Sequence, residues 1–172
     1  MLLRYAVSPS PLGRLLVAGT PRGLRAVSLG DADDALEATL RAGYPRGEIR
    51  RDDAELGPWV DAILASLEGR GTCNDLPVDL PSTPFGIVVR EGLRAIPAGE
   101  TRTYSGLARS LGRPGAARAV ARCCATNPVA LVIPCHRVVR EDGSLGGYRW
   151  GLGRKSSLLE RERGRAATAI LA

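Results

Sequence analysis

Apolar positions in the first 80 residues fall into two regimes. LLRYAVS (2–8), GRLLVAGT (13–20) and GLRAVSL (23–29) are short apolar runs, of strand rather than helix length. PSPLG and TPRG separate them and carry turn chemistry, so the three runs predict a small antiparallel sheet. DADDALEATLRAG then shows a helical period, with Leu36 and Leu40 four apart, acids in the first turn and Gly43 at the end. PWVDAILASLEG predicts a second helix, with Pro58 in its first turn and Trp59, Ile63 and Leu67 along one stripe. LPVDLP (76–81) reads as a last strand or a linker.

The texture changes at Ser82. STPFGIVVREGLRAI places Phe85, Val88, Val89, Leu93 and Ile96 at helical spacing. Gly86 and Gly92 weaken that helix by about 1 kcal/mol each relative to alanine. PAGETRTYSGLARSLG is a turn followed by a short helix, and RPGAARAVARCCATN is another short helix; two such helices joined by a tight turn fit a helix-turn-helix. VALVIP (129–134) is a short extended run, EDGSLGGY a glycine-rich loop and GLGRKSSLLERERG (151–164) a closing helix, while the tail AATAILA carries no signal. The fold class expected is therefore α+β. A small N-terminal α/β lobe with a short antiparallel sheet occupies residues 1–80. A mostly helical C-terminal lobe with a helix-turn-helix occupies 81–172.

Composition narrows the class. The 172 residues are 44% hydrophobic and 24% charged, ordinary for a globular domain. No apolar run approaches the ~18–20 residues that span a bilayer, and the start lacks the pattern of a secretory signal. The expectation is a cytoplasmic chain whose four cysteines, Cys73, Cys123, Cys124 and Cys135, are thiols. Charge is divided unevenly. Residues 1–80 hold 9 Lys+Arg against 12 Asp+Glu, and residues 81–172 hold 15 against 6. The basic surplus of the second half suits nucleic acid; a solvated arginine-rich surface explains it equally well, since Lys155 is the only lysine.

The second short helix of that half is nearly bare. Ala116, Ala117, Ala119, Ala121 and Ala125 leave Arg118 and Arg122 as its long side chains. Such a helix either packs closely on a neighbour or enters a DNA groove. Cys135 and His136, the only histidine, are adjacent. A thiol near its ordinary pKa is mostly protonated at neutral pH, and an imidazole can take its proton. Neighbours on an extended strand point to opposite faces, so the pair needs a bend, which Pro134 can supply, or a bridging water. A buried, merely packed cysteine is the alternative. One histidine and no C-x-x-C spacing argue against zinc.

The wider stretch NPVALVIPCHRVVREDGSLGGYRWGLGRKSSLLERE, with IPAGETRTYSGLA and AARAVARCCATNPV upstream, resembles the O6-alkylguanine-DNA alkyltransferases, whose hallmark is P-C-H-R-V. It is similar to the C-terminal domain of the bacterial adaptive-response protein. The resemblance runs from about Phe85 to Glu162 and, less specifically, through the N-terminal lobe. It implies a DNA repair protein, a methylated-DNA–protein-cysteine methyltransferase that flips O6-alkylguanine, and also O4-alkylthymine, out of duplex DNA. The alkyl group passes irreversibly to its own cysteine, once per chain, without cofactor or metal. By the same resemblance Cys135 accepts the alkyl group, His136 removes the thiol proton through a water, and Glu162 holds the histidine. Asn127 links the recognition helix to the reactive segment. Tyr104 crowds the phosphate and donates to the base. Arg118 enters the base stack beside Ala119 and Arg122 in the minor groove. Val138, Tyr148 and the backbone at Arg149 hold the extruded guanine. The partner implied is double-stranded DNA, not a membrane, met by a monomer in a bacterial-type cytoplasm, associated with the nucleoid.

There are departures. The family commonly carries Gln beside the phenylalanine and a Val-Trp pair, where this chain has Gly86 and Val89-Arg90. Residues 1–80 hold Cys73 and no histidine, so the structural zinc site of some members is not expected. Competing readings are a non-repairing, lesion-binding alkyltransferase-like protein, against which Cys135 argues, a Cys-His hydrolase with repeated turnover, and a plain helix-turn-helix regulator.

Overall fold

The computed structural model describes residues 1–170, and the chain divides into two compact units. The first comprises Met1–Pro81 and Pro128–Val132, the second Ser82–Asn127 and Ile133–Ala172. No helix among the described residues is long and apolar enough to cross a membrane.

In the first unit, β1 (Leu2–Ser10), β2 (Gly13–Thr20) and β3 (Gly23–Gly30) form an antiparallel meander. Their period-2 alternation sends Leu3, Tyr5 and Val7 to one face. There they meet Leu16 and Ala18 of β2 and Leu36 and Leu40 of α1 (Asp33–Gly43). Burying side chains of this size contributes about 1.5–3 kcal/mol each. The opposite face receives α2 (Asp53–Leu67), whose Leu56, Val60, Ile63 and Leu67 are buried at helical spacing. A methyl group on Gly19 would lie 2.5 Å from the Trp59 ring, so glycine there lets the indole lie against the strand.

Two features of this unit differ from the sequence expectation. A fourth strand, β4 (Glu48–Arg51), pairs in parallel with β1, giving the order β3-β2-β1-β4. Ile49 is its one apolar residue, so its strand character comes from the free edge of β1 and not from its own pattern. Helix α2 starts at Asp53 rather than near Pro58. Asp52 caps it, its side chain accepting from the Glu55 amide at 3.0 Å, and Pro58 lies inside the helix, where it removes one donor. The LPVDLP segment contributes a single parallel bridge, Val78 beside Leu24 of β3.

The segment Pro128–Val132 returns to the first unit. The Val27 amide of β3 donates to the Pro128 carbonyl at 3.0 Å, and the Ala130 amide donates to the Val27 carbonyl at 2.9 Å. The extended run expected at VALVIP is thus one bridge, Val27 beside Val129, followed by Leu131 in the left-handed region at φ 70°, rare for a residue with a β-carbon.

The second unit contains α3 (Pro84–Arg94), α4 (Tyr104–Ser110), α5 (Ala117–Ala125) and α6 (Leu152–Ile170). Thr83 and Thr103 cap α3 and α4, each accepting from the amide three residues on. A methyl on Gly92 would sit 2.8 Å from Leu111, so the glycine that weakens α3 in isolation permits close contact with the end of α4. Helices α4 and α5 pack together as the expected helix-turn-helix. Two short strands, β5 (Arg102–Thr103) and β6 (Val138–Val139), pair in parallel; at two residues each they leave no periodic trace. Helix α6 continues past Gly164 into the tail, whose last two residues lie outside the described ones.

Candidate active site

Pro134 ends the apolar run, and Cys135–Arg137 form a single 3-10 turn that supplies the bend this pair of neighbours requires. Cys135 and His136 are 4% and 1% exposed. The Cys135 Sγ lies 3.2 Å from the Asn127 side-chain amide, which also donates to the Ile133 carbonyl at 2.9 Å. Asn127 follows the last turn of α5 and so fastens that helix to the reactive turn. Burial pushes the Cys135 thiol up, while the Asn127 amide and the Lys155 ammonium pull it back only in part. At rest the side chain is a neutral thiol.

The imidazole is bonded to a buried ion pair. His136 Nε2 is 2.8 Å from Glu162 Oε1. Arg137 grips the same carboxylate, donating from Nε to Oε2 at 3.0 Å and from Nη2 to Oε1 at 2.9 Å, and spends Nη1 on the Ile96 carbonyl at 2.6 Å. The Gly99 amide adds a donor at 3.3 Å. Burial works to raise the Glu162 carboxyl, but the bonds from His136 and Arg137 outweigh it and bring it to about 2. Burial also lowers His136 below the ordinary imidazole value, against the pull of Glu162. A neutral ring donating from Nε2 to a carboxylate keeps Nδ1 as its acceptor. That atom is buried and has no hydrogen-bond partner among the described residues.

Cys135 opens onto a cavity of about 510 Å³. Tyr104, Cys124, Tyr148 and Arg149 share its wall. The Tyr148 ring stands edge-on to His136, with centroids 6.5 Å apart, and its buried hydroxyl has no partner among the described residues. Burial raises both the Tyr104 and the Tyr148 phenols, so both are donors at neutral pH. Gly146, at φ 70°, brings the glycine loop against the first of them: a methyl there would lie 2.9 Å from the Tyr104 hydroxyl.

The residues singled out in the sequence fall into three groups. Cys135, Tyr104, Tyr148 and Arg149 line the cavity. Asn127 contacts the thiol, and His136 is bonded to Glu162. Arg118, Ala119 and Arg122 are exposed on the face of α5 opposite the buried Val120 and Cys124. Val138 is fully buried and absent from the cavity wall; its carbonyl instead accepts a hydrogen bond from Lys155 Nζ at 2.7 Å.

Two residues were missed by sequence reasoning. Arg137 lay inside the quoted PCHRV text, and only the structure shows it ion-paired to Glu162. Lys155 had one signal, being the sole lysine in an arginine-rich chain. It is 0% exposed, and its Nζ bridges the Val138 and Gly147 carbonyls at 2.7 and 3.3 Å. An ammonium there ties the exit of the reactive turn to the glycine loop. Lys155→Met keeps the stem but leaves both carbonyls without their donor, a cost of about 1–3 kcal/mol. Thermal unfolding should show the loss, and Lys155→Arg, too large for a closed site, should not restore it.

Comparison with known proteins gives a consistent picture. The model of the 6-O-methylguanine DNA methyltransferase ribonuclease-like domain matches residues 3–80, and that of the DNA binding domain of the same name matches residues 84–164. The chain is 46% identical over 162 residues to the bifunctional transcriptional activator/DNA repair enzyme Ada of Escherichia coli, covering 94% of this chain and 46% of Ada. It therefore spans about half the length of that relative. It is 38% identical over 165 residues to the methylated-DNA–protein-cysteine methyltransferase of Mycobacterium tuberculosis, covering 96% of this chain and 95% of that protein. A crystal structure of M. tuberculosis OGT in complex with DNA superposes with a TM-score of 0.76 at 33% identity, covering 96% of this chain and 94% of that one.

Proposed function

The chain belongs to the 6-O-methylguanine DNA methyltransferase family, and from that premise we propose that it repairs duplex DNA by moving the alkyl group of O6-alkylguanine to Cys135. The observation that carries the proposal is a neutral thiol on the wall of a cavity, next in sequence to an imidazole tied to a buried carboxylate. O4-alkylthymine, with a similarly placed alkoxy carbon, is a second substrate.

Each step has a residue. The alkylated oxygen is out of reach of a protein thiol inside a stacked duplex, so the nucleotide must rotate out. Extrusion costs a few kcal/mol; Arg118, exposed on α5, fills the vacated place, and Ala119 and Arg122 beside it let the helix lie in the minor groove. The basic second unit supplies sequence-independent phosphate binding. In the cavity, His136 Nδ1 takes the Cys135 proton, directly or through a water, and Glu162 stabilises the imidazolium. Sγ attacks the alkyl carbon as the carbon–oxygen bond breaks, and the electron pair leaves on the guanine. Tyr104 donates a proton to the departing base and relieves its charge. Tyr148 and the Arg149 backbone hold the base in place, and Val138, behind the cavity wall, fixes the loop through its carbonyl's bond to Lys155. The product is a thioether, and no group at the site is equipped to cleave it, so each chain acts once. The reading places the protein in the cytoplasm with the nucleoid.

Duplex DNA carrying a labelled O6-methylguanine tests this. Label should appear on protein in a burst that ends at about one equivalent per chain, with the added methyl mapped to Cys135 by mass. Repeated turnover, or no transfer, overturns the proposal.

A further inference from the structure

Two arginine side chains stand at the cavity without an ion pair among the described residues. Arg140 and Arg149 both contribute to its wall and both are exposed. Neither guanidinium has a carboxylate within ion-pair distance among the described residues. Glu141 and Asp142 follow Arg140 directly; Asp142 lies within reach of the Arg140 charge but is engaged with the Ser144 amide at 3.0 Å and hydroxyl at 2.7 Å.

Arg140 is anchored through its backbone and Arg149 through its guanidinium. The Arg140 amide donates to the Ser144 carbonyl at 2.9 Å, closing the loop that follows β6. The stem of Arg140 passes Gly146, whose added methyl would lie 3.6 Å from its Cγ. Arg149 lies over the Trp150 ring at 5.9 Å, and that ring is buried and packed edge-on against Tyr148 at 5.2 Å. A cation stacked on a fixed aromatic is partly pre-ordered.

We propose that Arg140 and Arg149 form a clamp at the cavity mouth for the phosphodiesters flanking the extruded nucleotide. This assignment rests on the base-extrusion reading above and is separate from the role of α5. A nucleotide rotated out of the duplex draws its own two phosphates towards the opening through which the base enters. Guanidinium forks match phosphate oxygens in pairs, and exposed arginines that form no ion pair within the protein give none up in turning to them. The Arg149 side chain thus acts outside the pocket that its backbone helps to form.

The experiment uses the full chain with Arg140→Gln, Arg149→Gln and the double variant, against two substrates. One is duplex DNA bearing O6-methylguanine, read for transfer rate and for binding across a salt series. The other is the free O6-methylguanine nucleobase, which has no phosphate. The double variant should lose about tenfold or more in transfer from duplex DNA, and its salt slope should fall by about 2. Transfer from the nucleobase by Arg140→Gln, and the melting temperature of all three variants, should stay near the wild-type values. An unchanged rate and salt slope on duplex DNA overturn the clamp. Equal losses on both substrates also overturn it, because the arginines would then be shaping the pocket. A wild-type chain that accepts from neither substrate overturns both the clamp and the reading beneath it.

Discussion

Cys135→Ala should abolish alkyl transfer while leaving the protein folded and able to bind lesion-bearing duplex. The thiol is the only group in this scheme that forms a bond, so no neighbour can substitute partially, as a second base could for His136. The structural cost is small. The side chain is buried, the change removes one sulfur, and the Asn127 amide keeps its bond to the Ile133 carbonyl. Stability should fall by no more than about 1–2 kcal/mol. Labelled transfer, mass mapping and thermal unfolding check the two halves separately. Cys124 makes the mapping decisive, because it shares the cavity wall with Cys135. Burial pushes the Cys124 thiol well above its ordinary value, so it stays protonated and unreactive. Methyl found on Cys124, or transfer that survives the substitution, would remove Cys135 from its role.

Glu162→Gln should be damaging in two distinguishable ways. Glu162 is the common partner of His136 and Arg137, and removing its charge leaves the buried Arg137 uncompensated, at a cost of about 3–5 kcal/mol. An amide can also offer its NH2 to His136 Nε2, which reverses the tautomer and turns Nδ1 into a donor. Transfer should therefore slow by about a hundredfold or more, even well below the variant's melting temperature. The pH dependence separates this carboxylate from the rest. Its folded value of about 2 lies below the ordinary 4.5, so its contribution is present above pH 4.5 and is lost as pH falls towards 2. The depression corresponds to about 3 kcal/mol. Denaturant unfolding of the two proteins should differ most at pH 7 and converge as the wild type is acidified. A gap that persists undiminished at pH 2–3 would mean that ionised Glu162 is not what stabilises the fold.

The features legible in the sequence share a physical property: each has a local pattern of its own. The three long strands are apolar runs set off by turn residues, and α1, α2 and α3 carry apolar residues at helical spacing. The helix-turn-helix has its glycine-bearing turn. What escaped has no internal period. Strands β4, β5 and β6 are two to four residues long and exist because another strand presents an edge. The start of α2 was hidden because Pro58 looks like a first-turn residue, whereas Asp52 does the capping. At the site, Cys135, His136, Glu162, Asn127 and Tyr104 were named through resemblance; spacing alone left packing and chemistry open for the pair. The chemistry of Arg137 and Lys155 depends on what surrounds them, and a string of residues does not display a surrounding.

The placement of Pro128–Val132 bears on how the protein can be taken apart. The two matched segments, 3–80 and 84–164, invite a cut near Pro81 to obtain a free-standing C-terminal module. Five residues of such a fragment would have left their hydrogen-bonding strand behind, since Val27 both donates to and accepts from this segment. Those five lie between Asn127 and Ile133, the ends of the bond that braces the reactive turn. The linear boundary between segments is thus not a modular boundary, and the first eighty residues hold the stretch of chain that joins Asn127 to Ile133.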